Sequence, residues 1–141
     1  MKKDTKKLLE ELQSFSSFES FFQENEADLS AVPLSDALKT LIEQRGMTLS
    51  QAVENSEMSE VYAYQILSGI KKQPKREKVL CLAFGIGLSC EETQTLLETT
   101  GYAPLYAKRP FDAVVLYGLY KRLSVVEVNN ILFEYELGTL G

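Results

Sequence analysis

Serine and threonine residues recur at predicted helix starts along this 141-residue chain, and four of those at helix starts have a glutamate or glutamine three positions later. A pair of this kind is typical of a helix start, because its side chains bond backbone N–H groups that the first turn leaves unpaired. The four pairs are Ser16–Glu19, Thr48–Gln51, Ser89–Glu92 and Ser124–Glu127. Signals typical of strands are missing, so the sequence predicts an all-α fold of eight or nine short helices.

Further serines, prolines and glycines predict the other helix boundaries. Ser35 and Ser59 are predicted caps, and Pro74 and Pro110 are predicted first residues of helices. Predicted helix ends lie at Gly46, Gly69, Gly101 and near Gly138. With the spacing of apolar residues, these signals predict helices at residues 5–14, 35–45, 48–55 and 59–68, and others that begin at Ser16, Pro74, Ser89, Pro110 and Ser124.

Three segments follow from these boundaries: a helical arm at residues 1–33, a central domain at residues 34–100, and a helical hairpin at residues 101–141 that packs on the domain. A weak repeat with an offset of 35 residues relates Leu88-Ser89 and Glu92 to Leu123-Ser124 and Glu127. The repeat indicates either two related helical hairpins or only the general likeness of any two capped hairpins.

The chain has no histidine and only two cysteines, Cys81 and Cys90. The missing histidine excludes Ser-His-Asp and Cys-His nucleophilic sites and histidine-ligated zinc, and it removes the commonest general base near neutral pH. Both cysteines lie in or beside apolar helical sequence, so buried thiols are expected. Phosphate-loop and dinucleotide-binding motifs are absent. We therefore expect a protein that is not an enzyme and has no cofactor and no metal site.

Nothing in the sequence predicts contact with a membrane. The longest apolar run, Val79–Leu88, is well short of the roughly 18 residues that a membrane span needs. The basic N-terminus leads into Leu8-Leu9-Glu10-Glu11 and not into the apolar core of an export signal. The expected location is the cytoplasm.

The net charge of −5 argues against a protein that coats nucleic acid indiscriminately, but the charge is unevenly distributed. Residues 1–33 and residues 79–141 each carry a net charge of −3, whereas residues 34–78 carry +1. Within that middle section, five of the eight residues from Lys71 to Lys78 are basic and one, Glu77, is acidic. We call residues 71–78 the basic segment. It is either a phosphate-contacting surface or a solvated loop without a ligand.

Three predicted helices, at residues 35–45, 48–55 and 59–68, precede the basic segment. In a helix-turn-helix, the second helix must protrude far enough to enter a DNA major groove about 12 Å wide, while the preceding helix lies across the backbone. At this point the sequence resembles the XRE family, the lambda-repressor-like helix-turn-helix regulators. The resemblance spans roughly residues 34–97 and is carried by Met47–Val53, Met58-Ser59, Ile66–Gly69, Lys71–Pro74 and Lys78–Ser89.

The resemblance implies a five-helix DNA-binding domain whose recognition helix, at about residues 59–68, begins at Ser59. The residues that it implies at base edges are Glu60, Val61, Tyr62 and Gln65. Those that it implies at phosphate or sugar are Ser50, Tyr64, Lys71, Lys72, Lys75 and Arg76. The implied function is that of a bacterial or phage-like transcription regulator that binds specific sequences of double-stranded DNA, with flanking helices available for a homodimer or for sensing.

Departures from the family pattern keep a second function open. Glu57 holds a turn position usually occupied by glycine, Val53 replaces a smaller residue, and the predicted recognition helix has no lysine or arginine. Glu54, Glu57 and Glu60 would put three negative charges near DNA phosphates, which repel them. The alternative is a protein-interaction adaptor that keeps the helix-turn-helix fold and does not itself contact DNA.

Several apolar and aromatic residues are predicted to pack in the core. In the middle of the chain these are Val53, Met58 and Ile66, while Tyr62 and Tyr64 are divided between core packing and ligand contact because residues two apart cannot share one helix face. Aromatic residues interpreted mainly as packing residues are Phe15, Phe18, Phe21, Phe22, Tyr117, Tyr120, Phe133 and Tyr135. For the last four, a partner or dimer surface is the alternative.

Overall fold

The computed structural model describes residues 4–25 and 32–141. Residues 1–3 and 26–31, which belong to the predicted helical arm, lie outside the described residues. The described residues form nine helices and no strand, so the prediction of an all-α fold is confirmed for them. The helices are α1 (Thr5–Ser14), α2 (Phe18–Asn25), α3 (Leu34–Gln44), α4 (Leu49–Asn55), α5 (Glu60–Leu67), α6 (Arg76–Ile86), α7 (Cys90–Thr99), α8 (Pro110–Tyr120) and α9 (Val125–Glu134).

The chain separates into two compact units, residues 1–31 and residues 32–141. The second unit contains α3 to α9, and the boundary predicted at residue 100 lies inside it. The hydroxyl group of Tyr102 donates a hydrogen bond across this boundary to the carbonyl oxygen of Pro74. Helices α7 and α8 also contact each other, as do α6 and α9. The C-terminal hairpin therefore packs on the helices that precede it as part of one unit.

In the first unit, α2 begins at Phe18, one residue later than a cap at Ser16 would place it. The hydroxyl oxygen of Ser17, and not that of Ser16, accepts a hydrogen bond from the backbone N–H of Ser20 at 3.2 Å. The prediction of a cap at Ser16 is therefore wrong by one residue. The rings of Phe15 and Phe21 meet edge to face, with centroids 5.9 Å apart.

Most predicted caps of the second unit are confirmed. Ser59 caps α5, and Pro110 is the first residue of α8. The capping boxes that have both hydrogen bonds are Thr48–Gln51 at α4, Ser89–Glu92 at α7 and Ser124–Glu127 at α9. These bonds join residues three apart, so the local sequence is enough to specify them.

Two other predicted helix starts are wrong. Ser35 is not a cap, because α3 begins at Leu34, directly after Pro33, and Ser35 already lies in its first turn. Pro74 does not begin a helix, because α6 begins only at Arg76. Pro74 is instead buried in the segment before α6, where Tyr102 bonds its carbonyl oxygen.

In the core of the second unit, α3, α4 and α5 contact one another and α4 packs against α6. Leu38, Ile66 and Leu80 are completely buried, and Val53 is nearly so. Met58 packs against this cluster from the turn between α4 and α5. The core packing predicted for Val53, Met58 and Ile66 is thus confirmed, although Met58 is only partly buried.

Helix α4 approaches α6 most closely at Gly85. A Cβ atom at this position would lie 2.6 Å from the carbonyl oxygen of Ala52 and 2.9 Å from the backbone nitrogen of Ser56. Both neighbours are backbone atoms of the α4 region, so they cannot move aside without displacing it. Asn55 adds a hydrogen bond from its Nδ2 to the carbonyl oxygen of Gly85 at 3.4 Å. Gly85 therefore fixes the position of α4 and, through the short turn, the position of α5.

Helices α6–α7 and α8–α9 are two copies of one hairpin, related by the predicted offset of 35 residues. Helix α9 lies at the position of α7 plus 35 at both ends, and α8 differs from α6 plus 35 by one residue. Between the helices of the first copy, Leu88 N donates to Ala83 O at 3.0 Å; in the second copy, Leu123 N donates to Gly118 O at 2.9 Å. We call residues 75–105 the first hairpin copy and residues 110–140 the second hairpin copy.

Both copies end with the same side-chain clamp. In the first, the amide group of Gln94 accepts a hydrogen bond from Leu105 N at 2.7 Å and donates one to Leu105 O at 2.9 Å. In the second, Asn129 does the same for Leu140, at 2.7 and 3.3 Å. Both leucines are buried. Because this clamp lies outside the capping motif that indicated the repeat, it favours two related hairpins over a chance likeness of capping boxes.

The aromatic residues of the second hairpin copy are mostly outside the core. The exposed fractions of Tyr117, Tyr120, Phe133 and Tyr135 lie between 51% and 78%. Their interpretation as packing residues is therefore wrong. The buried positions of α8 and α9 are held by smaller residues such as Val115, Leu119, Val125, Val128 and Leu132.

Candidate functional site

Helix α5, the core of the predicted recognition helix, exposes its N-terminal end. Its buried residues, Ala63, Ile66 and Leu67, face the core, in which α5 contacts α3 and α4. Ser59, Glu60 and Val61 are exposed, while Tyr62, Tyr64 and Gln65 are half-buried; Ser50, in the first turn of α4, is also exposed. The residues assigned to base edges thus lie on one short helix and are all at least partly accessible.

The turn between α4 and α5 has a left-handed residue at Glu57, with φ of 59°. This conformation favours glycine and costs other residues about 1 kcal/mol or more. Ser56, which is completely buried, stabilises the turn by donating a hydrogen bond from its Oγ to Val53 O at 2.6 Å. The turn therefore has the backbone conformation that glycine usually supplies, although glutamate occupies the position.

The basic segment begins with exposed lysines close to α5. Lys71, Lys72 and Lys75 are exposed, and the backbone N–H of Lys71 donates to the carbonyl oxygen of Gln65 at 3.0 Å. This hydrogen bond holds the start of the segment against the last turn of α5. The three ammonium groups are available to an anionic ligand.

Arg76 has a different role from the one implied by the resemblance. Its guanidinium group forms an ion pair with Asp112, whose side chain is almost completely buried. It also donates hydrogen bonds to the carbonyl oxygens of Ala103 and Pro104, at 3.1 and 3.3 Å. Arg76 therefore joins α6 to α8 and to the connector between the hairpin copies, a structural role that the resemblance does not imply.

Tyr62 connects α5 with the basic segment. Its ring lies close to two ammonium groups, with Lys71 Nζ 5.8 Å and Lys78 Nζ 5.3 Å from the ring centroid, a cation–π arrangement. Lys78 Nζ also donates to the carbonyl oxygen of Gly141 at 2.7 Å. Burial raises the pKa of Tyr102, and nearby Tyr62 adds to this effect, so the hydroxyl group of Tyr102 remains a donor at neutral pH. Tyr62 is therefore held at the junction of α5 and the basic segment.

A shallow groove of about 730 Å³ runs along α5. Its apolar lining includes Leu49, Val61 and Ile70, and the exposed fractions of Val61 and Ile70 are 68% and 72%. Its charged lining residues are Lys39 and Glu60. The sequence analysis does not predict Lys39, Leu49 and Ile70 as residues of this groove. The one signal for them in the sequence is Ile70, an apolar residue directly after the predicted helix end at Gly69.

The other groups with shifted pKa values, Cys81, Cys90 and Glu92, have structural roles. Burial raises the pKa of Cys81 to about 11 and raises that of Cys90, so both thiols are protonated at neutral pH. Both cysteines are buried and free, as expected. A hydrogen bond from Arg45 lowers the pKa of Glu92 and ties α3 to α7. Among residues 4–25 and 32–141, no group of three acidic, cysteine or histidine side chains could hold a metal ion.

Comparisons of the chain with models of protein families, with curated proteins and with solved structures find no match. Within the described ranges, none of the helices combines the length and the apolar character that crossing a bilayer requires.

Proposed function

We propose that this protein is a transcription regulator that binds specific sequences of double-stranded DNA through a lambda-repressor-like helix-turn-helix formed by α4 and α5. The observation that carries the proposal is that α5 exposes its N-terminal end while its last turn holds the start of the basic segment, with its exposed lysines. The contact between Tyr62 and Lys71 links the two parts. A helix end for the major groove and cations for the adjacent backbone are the two elements that such docking needs.

The proposed contacts divide into two classes. Lys71, Lys72 and Lys75, with Ser50, would contact phosphate oxygens and set the affinity. Three residues of α5 would read bases: the Gln65 amide suits adenine, the methyl groups of Val61 suit a thymine methyl group, and the Glu60 carboxylate suits the amino group of cytosine. Because α5 carries no lysine or arginine, the bidentate contact to guanine is not part of the proposal.

The first test is the salt dependence of binding, measured by fluorescence anisotropy. The DNA duplex for this measurement is obtained by selecting, at low salt, the sequences that the protein binds from a pool of random duplexes. Three phosphate contacts predict a slope of log K against log salt of about −3 for each copy of the chain bound. Lys72→Gln is expected to weaken binding to all duplexes alike and to reduce the magnitude of this slope by about 1. Lys108→Gln is the matched control, because it removes a charge from another exposed lysine, in the loop before α8.

The second test separates base reading from phosphate contact. Gln65→Ala and Val61→Ala are expected to change which sequences the selection enriches, while the slope with salt stays the same. If the unmodified protein folds but enriches no sequence, the DNA-binding proposal is wrong. If Lys72→Gln and Lys108→Gln weaken binding equally, the proposed docking surface is wrong.

A second candidate function is that of a protein-interaction adaptor on the same fold. The observation that favours it is the groove along α5, because the exposed side chains of Leu49, Val61 and Ile70 give it an apolar lining. Apolar surfaces of this kind are typical of protein-binding sites. The adaptor predicts that Val61→Glu abolishes capture of a partner protein from the native host while the selection on DNA enriches nothing. The regulator predicts an enriched DNA sequence that Val61→Glu abolishes or changes.

A further inference from the structure

The second hairpin copy has an exposed aromatic face. Tyr117 and Tyr120 project from α8, Tyr135 follows α9, and Ile131 lies between them on α9. Tyr117, Ile131 and Tyr135 line a common depression of about 390 Å³ between the two helices. We call the surface formed by Tyr117, Tyr120, Ile131 and Tyr135 the aromatic face.

The same face of the first hairpin copy is covered by helix. Subtracting the offset of 35 from the aromatic face gives Leu82, Gly85, Leu96 and Thr100, and all four are buried. Gly85 is the position at which α4 lies against α6, close enough to leave no room for a Cβ atom. The repeat therefore identifies the aromatic face as a helix-packing surface whose three tyrosines the second unit leaves largely exposed.

We propose that the aromatic face is covered by the aromatic face of a second copy of this chain, in a two-fold symmetric dimer. Charges of opposite sign at the two ends of the face favour a second copy. Lys121, whose Nζ lies 5.9 Å from the ring centroid of Tyr117, is at the turn end of the hairpin, and Glu134 is at the open end. Antiparallel two-fold packing brings the Lys121 end of one copy to the Glu134 end of the other, so each dimer contains this charge pair twice.

The neighbouring carboxylate does not cancel this pattern. Glu127 lies near the turn end, where its carboxylate accepts the backbone N–H of Ser124 in the capping box and keeps its negative charge. Two exposed cations, Lys121 and Arg122, lie at the same end, and two exposed carboxylates, Glu134 and Glu136, lie at the open end. The two ends of the face therefore carry net charges of opposite sign.

The size of the surface is consistent with a weak to moderate dimer. Burying the exposed parts of three tyrosine side chains removes on the order of 400 Å² per copy, which is half of the roughly 800 Å² that each partner contributes to a typical specific interface. Residues around the face would supply the remainder. We expect dissociation constants in the micromolar range, which sedimentation can measure.

The test is analytical ultracentrifugation of the full chain without DNA, with charge reversals at the two ends. Lys121→Glu and Glu134→Lys are each expected to weaken self-association at least roughly tenfold, since each places two like-charge pairs in the dimer. An equimolar mixture of the two variants is expected to recover the affinity of the unmodified chain, because the mixed dimer has two opposite-charge pairs again. Tyr117→Ser is expected to weaken both the unmodified and the mixed dimer, and Lys108→Glu is the control for net charge.

Several outcomes would overturn the proposal. An unmodified chain that stays monomeric at 100-fold the expected dissociation constant would exclude the dimer and leave another protein as the occupant of the face. A dimer that both charge variants and Tyr117→Ser leave intact would place the interface elsewhere. Because these measurements contain no DNA, they succeed or fail independently of the proposed function.

Discussion

Replacing Arg76 by glutamine is expected to destabilise the fold rather than to weaken a ligand contact. Arg76 is the ion-pair partner of Asp112, whose side chain is 2% exposed, and Asp112 also accepts the backbone N–H of Tyr106 at 2.9 Å. Arg76→Gln leaves this carboxylate without a countercharge in the interior, a change that typically costs about 3–5 kcal/mol. For a chain of this length, the midpoint of thermal unfolding should fall by roughly 10 °C or more.

The double-mutant cycle with Asp112→Asn tests the reasoning behind this expectation. The asparagine is neutral and can still accept the hydrogen bond of Tyr106, so Arg76→Gln/Asp112→Asn should be more stable than Arg76→Gln alone. The matched control is Arg109→Gln, at an exposed residue beside the first residue of α8, which should change stability by less than about 0.5 kcal/mol. Urea unfolding followed by circular dichroism gives the four free energies of the cycle and that of the control. A thermal midpoint for Arg76→Gln within 2 °C of that of the unmodified chain would refute the argument.

Three further substitutions test the packing, the turn and the ion pair that position α5. Gly85→Ala should destabilise the fold by about 1–3 kcal/mol, because the new methyl group meets the backbone of Ala52; unchanged urea unfolding would contradict the close approach of α4. Glu57→Gly should stabilise it by about 0.5 kcal/mol, because relief of the left-handed strain exceeds the entropy that glycine adds to the unfolded chain, and a loss of stability would contradict this. Glu92→Gln keeps the capping bond but removes the charge paired with Arg45. The pKa of Glu92 in the folded state lies below its ordinary value, so the ionised carboxylate contributes to folding stability at neutral pH, and this contribution is lost as the pH falls through the folded pKa. The stability difference between Glu92→Gln and the unmodified chain should therefore shrink in acid. A difference that stays constant with pH would exclude the effect.

The sequence predicts the helices well where their boundaries depend on neighbouring residues. The capping boxes at Thr48, Ser89 and Ser124 consist of hydrogen bonds between residues three apart, so their existence can be inferred without the tertiary structure. The prediction that Pro74 begins a helix is wrong because of a distant partner. The hydroxyl group of Tyr102 donates to the carbonyl oxygen of Pro74, and the backbone is still extended at Lys75, directly before α6.

The candidate site is less predictable because it depends on distant partners. Arg76 looks like Lys72 and Lys75 in the sequence, and only the carboxylate of Asp112, 36 residues away, distinguishes it. The prediction that the tyrosines of the second hairpin copy pack in the core is wrong for a related reason. An aromatic residue at helical spacing identifies a helix face, but whether another helix covers that face is decided by the rest of the fold.

The repeated amide clamps also bear on how the chain folds. Each clamp joins residues 11 apart, so the segment after α7 or α9 can fold back on its helix early, at a small cost in loop entropy. The ion pair between Arg45 and Glu92 instead joins residues 47 apart, and it can form only after α3 has returned to α7. Amide hydrogen exchange should accordingly find the slowest-exchanging backbone in the two hairpins, while α3 to α5, the helices proposed to meet DNA, open more readily.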